Sequence, residues 1–134
     1  MEGLAEVKQS YGRACLQPKF FDRFYDIFLQ SSPRIKPMFA NTDFKKQKEA
    51  LRTGLAMLLA HVEGKAAGTM TVNRIAESHK KTKMNIEPNL YPFWIKSLVK
   101  AVKEHDQQWN ADLEGKWEKC LKVGVDHIVA QYNN

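Results

Sequence analysis

Glycine and proline are scarce in this chain, at 7 and 5 of 134 residues, and no segment alternates apolar with polar residues for long. Both absences argue against a sheet protein built on tight turns. Cysteine is rarer still. Cys15 and Cys120 form neither a CxxC pair nor a CxxCH attachment motif, so free, packed thiols in a reducing compartment are expected. The longest apolar run is about as short as Leu55 to Ala60, far below the ~20 residues of a membrane span. The segment Met1-Glu2-Gly3-Leu4-Ala5-Glu6 lacks the basic start and apolar core of a secretion signal, which points to a cytoplasmic protein. GxGxxG, P-loop and GxSxG motifs are all missing, so ordinary nucleotide-dependent or serine-hydrolase chemistry has no seat.

What is present is ordinary globular composition, 43% hydrophobic and 27% charged. A chain of this length is expected to form one domain over residues 1–134. The net charge is +6, from 21 Lys and Arg against 15 Asp and Glu. Such a balance admits acidic partners, but lysines scattered over solvent-facing helices give the same sum. Without a recognisable helix-turn-helix or aromatic platform, no nucleic-acid partner is expected.

The apolar spacing is helical throughout. After Pro18, the residues Phe20, Phe21, Phe24, Tyr25, Ile27, Phe28 and Leu29 trace a wide stripe at intervals of three and four. Ser32 should cap, and Pro33 start, a short helix ending at Met38 and Phe39. Asn41, Thr42 or Asp43 should cap a longer helix carrying Phe44, Leu51, Leu55, Leu58 and Val62, which Gly64 ends. Gly64 to Gly68 reads as a mobile loop, with the next helix starting at Thr69 or Thr71. That helix puts Val72, Ile75, Ala76 and His79 on one face. Beyond the break at Asn85 to Pro88, a helix runs through Leu90, Tyr91, Trp94, Leu98, Ala101 and Val102 to His105. Asn110 should cap the last one, whose inward face is Leu113, Trp117, Cys120, Leu121, Gly124 and Ile128. A further helix is expected around Leu4 to Leu16. The expectation is an all-α protein of six or seven helices in a bent assembly rather than an up-down bundle.

His61, His79, His105 and His127 are not spaced i, i+3 or i, i+4 from one another, so a helix-borne zinc motif is absent. His79 stands apart, on an inward face close to a helix end. One reading is a core histidine bonded to a backbone carbonyl. The other is an axial metal ligand, a neutral imidazole projecting into an apolar slot.

The order of motifs along the chain resembles the globin family, specifically single-domain bacterial haemoglobins. Residues 21–39, FDRFYDIFLQSSPRIKPMF, are similar to the globin stretch in which an aromatic residue precedes an obligatory phenylalanine by fourteen positions, as Tyr25 precedes Phe39. Residues 47–51, QKEAL, resemble the distal-helix motif, and residues 76–91, AESHKKTKMNIEPNLY, resemble the proximal histidine leading into the penultimate helix. The resemblance implies a globin fold enclosing a pocket for haem b, with His79 as the iron ligand. It implies that Phe39 stacks on the porphyrin and that Leu51 overhangs its distal face. Tyr25 and Gln47 would be the polar groups beside bound O2, CO or NO. O2 gathers negative charge on binding, so donors there favour it over CO by about 1–2 kcal/mol each.

Tyr91 matches the tyrosine that flavohaemoglobins tie to the proximal histidine through a glutamate. That glutamate falls near Asn134 here, the interval from His79 to Pro88 is two residues longer, and Leu121 stands where a tyrosine is usual. No reductase domain follows in the sequence. These departures weaken an electron-pushing or self-sufficient NO dioxygenase role and leave haem and gas binding intact. The expected function is reversible O2 binding for carriage or storage, or NO detoxification with a separate reductase. The competing class is a gas or redox sensor, or a haem-less interaction module. Lys45, Lys46, Lys48 and Arg52, with Lys80, Lys81 and Lys83, are expected near the haem edge, where they would meet propionates or an acidic redox partner.

Overall fold

The computed structural model describes residues 1–134. Six α-helices are joined by short connections: α1 Leu4–Cys15, α2 Phe20–Gln30, α3 Phe44–Val62, α4 Ala66–His79, α5 Tyr91–His105 and α6 Ala111–Val129. Short 3-10 helices at Lys36–Phe39 and Pro88–Leu90 precede α3 and α5, and there is no strand. No helix is long and apolar enough to cross a membrane.

The helix boundaries follow local chemistry. Asp43 accepts hydrogen bonds from the backbone N–H groups of Lys45 and Lys46, and Asn110 accepts from that of Asp112, so α3 and α6 start where a side chain serves an orphan donor. α3 ends at Gly64, whose φ of 91° suits glycine. Two expected boundaries move. The 3-10 helix begins at Lys36 with Pro37 in its first turn, and Ser32 and Pro33 instead form the turn before it, where the Ser32 hydroxyl accepts from the Arg34 N–H. No loop spans Gly64 to Gly68, because α4 already starts at Ala66, ahead of Thr69 and Thr71.

Gly68 explains the second correction. It is a contact residue rather than a hinge. A Cβ at this position would lie 2.4 Å from the His61 nitrogen and 2.6 Å from the Met57 carbonyl oxygen. The backbones of α3 and α4 therefore touch here, a crossing only glycine permits. Around it, 25 buried residues from all six helices make one contiguous core, with Trp117, Phe20 and Phe24 fully enclosed. Every core position expected on α6 is buried, including Cys120 and Leu121, while Cys15 is half-buried.

One buried polar network fastens α1 to the turn after α5. Asp106 accepts from Ser10 Oγ at 2.6 Å and from Arg13 Nε and Nη2 at 2.6 and 3.0 Å, and Trp117 Nε1 donates to Ser10 Oγ at 3.0 Å. Burial alone would raise the Asp106 pKa, but the bonds from Arg13, Ser10 and the Gln108 amide outweigh it and hold the group below its ordinary 3.8.

Gly68→Ala should cost roughly 2–3 kcal/mol in urea unfolding, since helix backbone must move. Gly115→Ala, in the second turn of α6 with nothing within 4 Å, should instead gain about 0.5–1 kcal/mol. Because the folded pKa of Asp106 is depressed, its contribution is complete above about pH 4 and is lost as pH falls through the folded value. Asp106→Asn should therefore destabilise by about 2–4 kcal/mol at pH 7 and flatten the acid limb of the stability curve. An unaltered acid limb would show that the network carries no such linkage.

Candidate functional site

Beyond the Gly68 crossing, the approach of α3 and α4 is less close. The inward face of α3 carries Leu51 and Gly54, three residues apart, and that of α4 carries Ile75 and His79, four apart. At Gly54 the gap is bridged only by a side chain, with Ile75 Cδ1 3.9 Å from where a Cβ would stand. Further out, Gln47 and Leu51 on α3 and His79 at the end of α4 are all half-buried. Phe39, Phe44, Tyr91, Trp94 and Ile95 are likewise apolar groups that pack against the core yet stay only partly covered.

His79 is the last residue of α4. Its Nδ1 lies 2.9 Å from Ser78 Oγ, and that hydroxyl donates to the Ile75 carbonyl at 2.9 Å. With its proton committed there, Ser78 Oγ accepts from Nδ1–H, which leaves the lone pair on Nε2. Burial lowers the His79 pKa, opposed in part by the Ile75 carbonyl. A neutral imidazole with a free Nε2 results. The sequence signal for Ser78 was its place beside His79 near a helix end, where serine hydroxyls bond carbonyls three residues back.

Tyr25 is only 4% exposed. Its ring meets Phe39 edge-on at 6.1 Å, Phe44 at 5.4 Å and Phe24 at 4.9 Å. Phe39 in turn stacks on Phe44 at 6.2 Å and meets Phe28 at 5.9 Å. The fourteen-residue spacing thus brings Tyr25 and Phe39 into direct contact. Burial pushes the Tyr25 phenol up to about 12, against the opposing influence of the Gln47 side chain beside it, so near pH 7 the group keeps its proton as a donor. Phe44 was legible only as an apolar helix position.

Tyr91 opens α5, half-buried, its phenol also pushed up to about 12 by burial. His79 Nδ1 is taken by Ser78, and no hydrogen bond joins Tyr91 to His79. At the chain end, Asn134 donates to Gln131. The basic residues divide. Lys48 pairs with Asp22 at 2.5 Å, Lys80 with Glu77 at 3.0 Å, and Arg52 lies over the Phe21 ring at 5.1 Å. Lys45, Lys46, Lys81 and Lys83 are exposed and enter no ion pair. No cluster of three His, Cys, Asp or Glu residues is arranged to hold a metal ion without a further group.

This architecture is an all-α globin fold. A Pseudomonas aeruginosa protein whose crystal structure is described as highly homologous to a human hemoglobin superposes with a TM-score of 0.94 at 35% identity, over 99% of this chain and 100% of that one. The globin family model matches residues 22–128, and the chain belongs to the globin family. It is 32% identical to a flavohemoprotein of Oceanobacillus iheyensis over 80% of this chain, and 33% identical to one of Vibrio cholerae over 65%. It spans 27% and 22% of the length of those two relatives.

Proposed function

We propose that the chain is a haem b globin that binds O2 reversibly, with residues 1–134 as its one domain and the slot between α3 and α4 as its pocket. The observation that carries this reading is His79, a neutral imidazole with its proton committed on Nδ1 and Nε2 free, set between partly uncovered apolar walls. Those residues fit a haem, which needs one nitrogen donor and otherwise apolar contact. The flavohemoprotein relatives support the same group.

Bound through His79, haem would supply the iron that takes up O2, CO or NO. The chain's own residues do the rest. Phe39, held by Tyr25, Phe28 and Phe44, offers a fixed ring to the porphyrin. Leu51 covers the distal side. Tyr25 O–H and the Gln47 amide donate toward a ligand that gathers negative charge. On the proximal side Nδ1–H faces a hydroxyl rather than a carboxylate, so the imidazole keeps ordinary donor strength. That favours reversible binding over an electron-pushing role. Tyr91 serves the porphyrin as an apolar wall rather than as part of a relay to His79. Carriage or storage of O2 in the cytoplasm fits this site, and NO detoxification requires electrons from a separate reductase. The exposed Lys45, Lys46, Lys81 and Lys83 suit haem propionates or an acidic partner of that kind.

Purified protein given haem should show a Soret band and a histidine-bound ferrous spectrum that shifts with CO. Absence of that band would overturn the reading in favour of a haem-less module. His79→Gly should open a proximal site that free imidazole refills, whereas replacing His61, His105 or His127 should leave the histidine-bound spectrum intact. An unchanged spectrum in His79→Gly would remove His79 as the ligand.

Tyr25→Phe should speed O2 dissociation by roughly tenfold or more, the loss of one charge-assisted hydrogen bond, and leave CO dissociation nearly unchanged. Gln47→Leu should do less, because its amide has several rotamers, and Leu51→Ala should mainly speed ligand entry. Stopped-flow measurement of both gases decides. Equal changes for O2 and CO would reduce Tyr25 to a packing residue.

A further inference from the structure

Two histidines that the site does not use grip the helix that carries His79. Thr69 and Asn73 lie one turn apart on α4. His61, in the last turn of α3, has its Nδ1 2.8 Å from Thr69 Oγ1. His127, in the last turn of α6, has its Nε2 2.6 Å from Asn73 Oδ1. The two imidazole rings face each other with centroids 4.6 Å apart and planes tilted by 58°.

We propose that His61 and His127 are positioning residues for His79: with His61 neutral they clamp α4 to α3 and α6, and its protonation beside His127 strains the clamp through repulsion between the two rings. The proposal rests on α4 being the haem-bearing helix.

Three features carry it. First, these two bonds are the side-chain hydrogen bonds that tie α4 to both α3 and α6, beside the packing of Gly68, Val72 and Ala76. Second, the clamp sits between the Gly68 crossing, which fixes one end of α4, and His79, which ends the other. Asn73 precedes His79 by less than two turns. Third, charge on the rings has no local compensation. On α3 and the turn after it, Glu63 is engaged by Lys8 of α1 and by Lys65. On α4, Glu77 is paired with Lys80, and Arg74 adds positive charge. On α6, Asp126 is paired with Lys122. Two imidazolium rings at 4.6 Å would therefore repel each other with no free carboxylate between them.

Burial, and then His127, push the His61 pKa below its ordinary 6.5. Because the folded value is lowered, the unfolded chain takes up protons first. The clamp's contribution is complete above about pH 6.5 and falls away as pH drops below it.

The test is hydrogen exchange on the full chain without added haem, following amides 74–79 from pH 7.5 to 5.5 after correction for intrinsic rates. The expected result is a loss of protection of about tenfold over that range. His61→Gln and His127→Gln, which keep hydrogen-bonding capacity but do not titrate, should each flatten this pH dependence. His105→Gln should not, since His105 bonds the Ala101 carbonyl on α5. NMR titration of the wild-type His61 ring should place it below its ordinary value, a readout independent of how the variants fold. Protection that is flat with pH in the wild type, a His61 ring that titrates at its ordinary value, or pH dependence that survives both glutamine variants would overturn the clamp. Haem uptake is read separately. A pH-dependent α4 in a chain that binds no haem would uphold the clamp as a hold on α4 and reject the haem reading. A pH-independent α4 in a haem-binding chain would do the reverse.

Discussion

The structure depends on one contact, the passage of α4 across α3 at Gly68, where the two backbones touch with no side chain between them. Helices that cross at ordinary separation, about 8–10 Å, fill the space between them with interdigitated side chains along their whole contact. Here the closest approach lies at the end where the chain turns from one helix into the other. Further along the pair the approach is less close. By Gly54 and Ile75 only a side chain spans the gap, and beyond them Leu51 and His79 are left half-covered. A slot between two helices is unstable by itself, because it leaves apolar surface in water. On the proposed reading, haem covers that surface when it binds.

The aromatic wall shows how such a slot keeps its polar groups in order. Tyr25 lies within reach of Phe24, Phe39 and Phe44, which fix its ring through edge contacts. The same burial that fixes the ring raises its pKa to about 12. Rigidity and protonation thus have one cause, and the group that results is a donor aimed from a stationary ring. His79 is the converse case. Burial lowers its pKa and keeps it neutral, and Ser78, tied down by the Ile75 carbonyl, selects which nitrogen holds the proton. Burial therefore acts in opposite directions on the two groups, keeping the Tyr25 phenol protonated and the His79 imidazole neutral.

The legible parts of the fold were those in which one residue type has one physical meaning. Asn110 begins α6 and Asp43 begins α3 because short acceptor side chains serve orphan N–H groups. The apolar stripe of α6 is buried as its spacing required. Glycine has two meanings, and that is where the sequence misled. Gly64 does take a left-handed φ and ends a helix, but Gly68 is helical and exists to let backbones touch. Nothing local to residues 64–68 distinguishes those uses, because the difference lies in α3. Pro33 misled similarly: a proline suits a turn as well as the first turn of a helix, and Pro37 took the latter. In the site, spacing placed Tyr25 against Phe39, yet the partner of His79 was carried only by a weak local signal. A carboxylate relay through Tyr91 was the pattern to look for, whereas the bond is made by the neighbouring Ser78.

That substitution of partner bears on the balance between the two sides of the slot. A carboxylate accepting from Nδ1–H would stabilise imidazolate character and strengthen the donor on Nε2. A hydroxyl whose own proton is already given to a carbonyl accepts more weakly. On the proposed reading, then, the distal side works on a ligand whose charge is not driven outward from below. Its stabilisation must come from Tyr25 and Gln47, groups that act by hydrogen bonding and hold their protons. A site of that kind retains a gas without cleaving it, because neither wall carries an acid strong enough to deliver a proton at neutral pH. The weaker proximal donor and the unionised distal donors are consistent with each other. On that reading the slot suits holding and releasing a ligand, and turning one over requires electrons from outside the chain.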